Sequence, residues 1–249
     1  LRNDGDLHAI GLSARPPAAL GSIFQIRAEL VGGSVTQPSA WNGRVFGELG
    51  NTDLAAWRAW LDYPIDVRAG QGALRFWATL GEGKLKRATA DLVLSKVVAR
   101  LRNDLPVLEL ASVSGRMQGR ESETAYELAG RNLRLVPEQA PELPATSFQL
   151  SLRRGQADRI EHGSLSATAI ELAPLARLAG FLPFPPEVRE LLSELEPRGA
   201  LLDVKFDWQG QLPAAEKFTA RGRFAALGMN AWGRIPGFAN LSGSVDANQ

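Results

Sequence analysis

The chain has 249 residues, 45% of them hydrophobic, with 28 Lys and Arg against 27 Asp and Glu and no cysteine. A net charge of +1 supplies no long-range field to draw in nucleic acid or an anionic membrane surface. The missing cysteine excludes disulfides, thiolate metal sites and thiol nucleophiles, and no run approaches the ~20 apolar residues that span a bilayer. With Leu1 first and a polar run, Gly243–Gln249, last, the sequence reads as a piece cut from a longer chain.

Period-two alternation dominates, which predicts antiparallel strands with one apolar face. Leu74, Phe76, Ala78 and Leu80 fall on one side of the first clear strand, with Arg75, Trp77 and Thr79 on the other. After Gly81-Glu-Gly83, a hairpin signal, Ala88, Ala90, Leu92 and Leu94 alternate against Thr89, Asp91 and Val93. Phe148–Leu152 follows. Then Leu202, Val204, Phe206 and Trp208 stand opposite Asp203, Lys205 and Asp207, and Arg221–Phe224 repeats the rhythm.

Helical spacing is confined to two places. Thr52 or Asn51 is expected to cap a helix over Asp53–Asp62, with Leu54, Trp57 and Leu61 on one stripe. A second helical region runs from Pro174 to about Leu182. It continues into a helix opened by Pro185-Pro186, striped by Val188, Leu191, Leu192 and Leu195, and stopped by Pro197 and Gly199.

The two helical regions are related. Leu54-Ala-Ala-Trp-Arg-Ala-Trp-Leu-Asp-Tyr-Pro64 aligns without a gap to Leu175-Ala-Arg-Leu-Ala-Gly-Phe-Leu-Pro-Phe-Pro185. Each is preceded by an alternating strand and followed by a Gly-Ala-Leu strand start (Gly72–Leu74; Gly199–Leu201) and then by a strand holding Thr-Ala (Thr89-Ala90; Thr219-Ala220). The same order of elements twice defines a repeat, with units expected at 40–162 and 163–249, the second cut short. Because aliphatic and aromatic residues interchange between the copies, Trp57 and Trp60 read as packing residues. Trp77 and Trp208 could line a groove or a core.

Catalytic patterns fail one by one. His8 and His162 are far apart and sit in no zinc-binding spacing. No G-x-S-x-G elbow or Walker A run occurs, and Gly70-Gln-Gly72 lacks both the third glycine and the following helix of a dinucleotide site. The acids of Arg120-Glu-Ser-Glu-Thr124 read as a solvated loop. Neither an enzyme nor a cofactor is expected.

Several runs carry a family resemblance. Trp41-Asn-Gly-Arg-Val-Phe-Gly-Glu-Leu-Gly, Asp53-Leu-Ala-Ala-Trp-Arg-Ala-Trp-Leu and Gly70-Gln-Gly-Ala-Leu-Arg-Phe-Trp resemble the central region of the YhdP family, large AsmA-like envelope proteins of Gram-negative bacteria. Leu182–Pro185, Leu195–Gly199 and Pro236–Gly243 resemble it too. The resemblance implies a fragment of an inner-membrane-anchored periplasmic protein, a long twisted β-sheet folded into a groove that passes phospholipid between the two membranes.

The expected fold is therefore mostly β: a strongly twisted antiparallel sheet curved into an open groove, of the β-taco type, with a few short helices at its ends or mouth. Its ligands are expected to be phospholipid acyl chains, held by Leu74, Phe76, Ala78, Leu80, Leu92, Leu94, Leu202, Val204, Phe206 and Trp208. Its other partners are further repeats of the same parent. An acyl chain gains about 0.8 kcal/mol per sheltered methylene, so a chain of ~15 methylenes requires a long dry track. Alternation supplies an apolar face for such a track and, equally, for a closed core. The rival reading is a non-catalytic envelope scaffold that fills the face with its own side chains.

Overall fold

The structure, a computed structural model, describes residues 2–32, 40–59, 65–138, 142–155, 159–212 and 215–249. Thirteen strands follow one another in chain order: β1 (Arg2–Asp4), β2 (Leu7–Ala14), β3 (Phe24–Val31), β4 (Asn42–Asp53), β5 (Asp66–Gly81), β6 (Lys84–Arg100), β7 (Leu108–Glu121), β8 (Ala125–Pro137), β9 (Leu143–Arg154), β10 (Ile160–Glu171), β11 (Arg198–Gly210), β12 (Ala215–Met229) and β13 (Phe238–Asn248). Each pairs antiparallel with the strand before and after it, so the chain is a single meander and the sheet stays open between β1 and β13. The predicted hairpin at Gly81–Gly83 is a two-residue turn, with Glu82 at φ 53° and Gly83 at φ 69°. Positive φ at both central residues matches the twist of the flanking strands.

In a meander, alternate connections leave from opposite rims. The two α-helices and the 3₁₀ turns named below lie on one of them. Two α-helices, α1 (Leu172–Leu178) and α2 (Pro186–Leu195), with a 3₁₀ turn at Ala179–Phe181 between them, join β10 to β11. Further 3₁₀ turns at Ala18–Leu20 and Ala56–Ala59 lie in the β2–β3 and β4–β5 connections.

Two expectations are corrected here. The helix expected over Asp53–Asp62 is a 3₁₀ turn at Ala56–Ala59, and Trp60–Pro64 lie outside the described residues. Its start is capped by neither Thr52 nor Asn51: Asp53 Oδ1 accepts the N–H groups of Ala55 and Ala56 at 3.0 and 3.2 Å. Strand β5 begins at Asp66, well before Gly72, because the ladder with β6 continues through Val67 and Ala69. Trp57 packs edge-on against Phe24 at 5.2 Å and donates Nε1–H to Leu20 O at 3.0 Å.

What bends the sheet is a series of β-bulges. Register shifts fall at Asn51 in β4, Asn132 in β8, Asp203 in β11 and Ala226 in β12, each at positive φ (44°, 48°, 50° and 50°). All lie toward the helical rim. A bulge adds one residue, bends its strand and raises the local twist. The freed backbone groups find hydroxyls on the next strand: Asn132 N–H donates to Ser147 Oγ at 3.1 Å and Ala226 N–H to Ser242 Oγ at 3.0 Å.

Asn and Asp tolerate the left-handed conformation at little cost, whereas alanine does not. Ala226→Gly should therefore stabilise the chain by about 1 kcal/mol, and Ala226→Val should destabilise it by at least that much, read as shifts in the urea midpoint.

Candidate functional groove

The ladder registers carry each inward side chain from strand to strand. One row runs Ile10, Ala28, Val45, Ala78, Ala88, Gly119, Leu128, Leu150, Leu165, Phe206, Ala220 and Ala247, one residue on each strand from β2 to β13. A parallel row runs Leu12, Ile26, Gly47, Phe76, Ala90, Met117, Gly130, Phe148, Ala167 and Val204. Neither contains a polar residue. With strands 4.7–4.9 Å apart, the first row is about 50 Å long.

Nine of the ten residues expected on the apolar face fall on it; Leu202, beside the Asp203 bulge, lies opposite Ala169 of β10 but opposite Arg223 of β12. Phe76, Ala78, Val204 and Phe206 sit in these two rows, Leu74 pairs with Leu92, and Leu94 pairs with Val113. Leu80 lies opposite Gly43, and Trp208 opposite Gly163. Trp208 is thus on the apolar face and only 5% exposed, while Trp77 is on the other face and 39% exposed.

The opposite face is mostly polar, with Phe46, Trp77 and Val93 among its apolar members. Its matching row is Glu29, Arg44, Thr79, Arg87, Arg120, Glu127, Ser151, Ser164, Asp207, Thr219 and Asn248. Cross-strand ion pairs knit it: Arg75 to Glu48 at 2.9 Å, Arg116 to Asp91 at 2.5 Å, Arg223 to Asp203 at 2.5 Å and Arg221 to Asp246 at 3.1 Å. A hollow of about 490 Å³ on this side is bordered by Arg87, Arg120, Arg131 and Lys205 together with Glu127 and Asp203. The last two are paired with Arg120 and Arg223.

The Arg116 hydrogen bond holds the Asp91 carboxyl below its ordinary range, and Arg68, Arg102 and Arg134 do the same for Asp66, Asp104 and Glu142. A depressed folded-state pKa adds stability above the unfolded value and loses it as pH falls through the folded one. Thermal melts should therefore be flat from about pH 8 to 5 and fall below about pH 4, where these carboxylates take up protons.

Among the described residues, little of the chain itself covers the apolar face. Each strand packs chiefly on its two ladder neighbours. The chain exposes 15462 Å², where a compact monomer of its mass would expose about 10,800 Å². Among the described residues no large side chain falls below 2% exposure, and Leu128 and Leu12, both on the apolar face, are 40% and 48% exposed. An apolar hollow of about 380 Å³ opens on the rim away from the helices, bordered by Ala88, Gly119, Tyr126, Leu128, Leu150 and Leu152.

The helical rim is different. Leu178 of α1 packs with Leu108 and Leu110 of β7, surrounded by Val97, Val113, Leu135, Leu143, Phe181 and Leu182. Among the described residues no cluster of three or more His, Asp or Glu side chains could hold a metal, and no helix is long and apolar enough to cross a membrane.

An open antiparallel sheet with one apolar face, covered by helices at one rim alone among the described residues, and one ion-paired face defines a β-groove protein. The family model described as YhdP protein matches residues 1–249, and the chain belongs to the YhdP family. No curated protein and no solved structure matches it. Family membership points to a lipid-transport-related role in the cell envelope.

Proposed function

We propose that the chain shelters phospholipid acyl chains along its apolar face and forms part of a track by which phospholipid crosses the periplasm between the two membranes. The parent is anchored in the inner membrane, and further repeats continue the groove. The observation that carries this reading is the 12-strand apolar row, most of it partly exposed and Leu128 at 40%. Water against so much hydrocarbon is costly, at roughly 25 cal/mol per Å². Acyl chains match the face in shape and chemistry, and headgroups can stay at the rim in water. Movement along the track needs no covalent step and no cofactor, because one row of methyl and phenyl groups offers a lipid nearly equivalent positions from strand to strand.

The scaffold alternative requires that the face be filled by the protein's own side chains, and the exposure of Leu128, Leu12 and Tyr126 speaks against it. The test is native mass spectrometry of the gently purified chain. Bound phospholipid is the expected result, and a well-folded, lipid-free chain that also fails to take up phospholipid from vesicles would overturn the reading.

A further inference from the structure

Four aromatic rings on the apolar face share one arrangement. Phe76 pairs across the ladder with Gly47, Phe148 with Gly130, Trp208 with Gly163 and Phe224 with Gly243. At Gly47, Gly130 and Gly163 a Cβ would overlap ring carbons of the partner, and at Gly243 it would lie 3.0 Å from Phe224 Cζ. None of these four glycines has the positive φ that favours glycine. The backbone does not require them, so what they supply is room. Each ring lies down over the bare Cα of its neighbour.

In a closed core, aromatic rings project from the sheet and fill the space above it. Here they are turned down onto it, on the strand pairs flanking two of the helical connections (β4–β5 and β10–β11) and again on β8–β9 and β12–β13. A seated ring presents a low surface, and Phe76, Phe148 and Phe224 keep part of theirs open, whereas Trp208, 5% exposed, is covered. We propose that Gly47, Gly130 and Gly243 are seats that set the clearance of the track, so that an acyl chain passes over the ring instead of being blocked by it. This rests on the lipid-carrying reading above. These three glycines are positioning residues that act through the rings and do not touch the ligand.

A built-in control exists. Gly119 lies on the same face, but a Cβ there meets nothing within 4 Å. Bound phospholipid would be measured by native mass spectrometry on the purified chain after incubation with phosphatidylethanolamine and phosphatidylglycerol vesicles, with circular dichroism to follow the sheet. Gly130→Ala and Gly47→Ala should each keep the sheet and lower occupancy three- to tenfold. Gly119→Ala should stay within twofold of wild type. Adding Phe148→Leu to Gly130→Ala should restore binding, because the group lifted into the track is then gone.

Wild-type occupancy in Gly130→Ala and Gly47→Ala, or a loss in Gly130→Ala that Phe148→Leu does not reverse, would overturn the proposal. Unfolding of Gly130→Ala would count against it as well, because a ring free to rise into an open track leaves the sheet intact. A wild-type chain that takes up no lipid is a separate outcome, and it removes the carrier reading itself.

Discussion

Phe206→Asp should strip the chain of phospholipid while leaving its sheet in place. Phe206 sits in the row between Leu165 and Ala220 and stacks on Trp208 at 5.2 Å. An ionised carboxylate against hydrocarbon costs several kcal/mol, so bound phospholipid should fall at least about tenfold. In the empty groove the same carboxylate faces water, so folding should lose little beyond the contacts of the ring. In a closed core the carboxylate would have no water to reach, and the chain would unfold. Val93→Asp is the matched control: Val93 is 66% exposed on the polar face, and the substitution should change neither lipid nor stability. Lipid lost with the circular dichroism spectrum retained fits a carrier. Unfolding of the Phe206→Asp chain, with Val93→Asp unaffected, would favour the scaffold.

Much of this site was legible in the sequence because a sheet's side-chain period is two. The parity of Leu74, Phe76, Ala78 and Leu80, or of Val204, Phe206 and Trp208, assigns a face without any knowledge of neighbouring strands. Parity also separates Trp77 from Trp208, although it does not say which face is covered. The bulges left a trace that was open to reading: after Ala88, Ala90, Leu92 and Leu94 the apolar residues resume at Val97 and Ala99, a slip of one that marks Lys96 at φ 51°. The glycine seats left none. That Gly130 faces Phe148 is a property of register, set by turn lengths and bulges on two strands, and neither residue by itself announces the other. The short helix at Asp53 was misjudged for a related reason. Asp53 Oδ1 binds the N–H groups that would begin a longer helix, while Trp57 is drawn toward Phe24 and Leu20.

The largest loss of stability should follow from Leu178→Ala, and the reason lies in what a meander lacks. A sheet whose strands touch only their neighbours resembles a repeat array, in which each unit is held by the next and nothing spans several units. The β10–β11 connection supplies that span. Leu178, 4% exposed, reaches back from β10 to Leu108 and Leu110 of β7, at 7% and 5%. At the other end of the connection, Asn230 N–H donates to Leu195 O at 2.8 Å and Trp232 Nε1–H to Glu194 at 2.9 Å, tying α2 to the β12–β13 connection. The helices thus fasten one rim from β7 to β13. Truncating Leu178 empties the middle of this cluster and should cost about 2–4 kcal/mol. The loss should be local in character: hydrogen exchange should quicken across β7–β11 while β2–β5 keep their protection, because nothing in the cluster reaches those strands. A uniform rise in exchange over all strands would mean that the sheet unfolds as one unit and that its curvature is held by the strands alone. Exchange confined to β7–β11, with acyl-chain binding weakened there, would show that the helical rim holds the groove in shape.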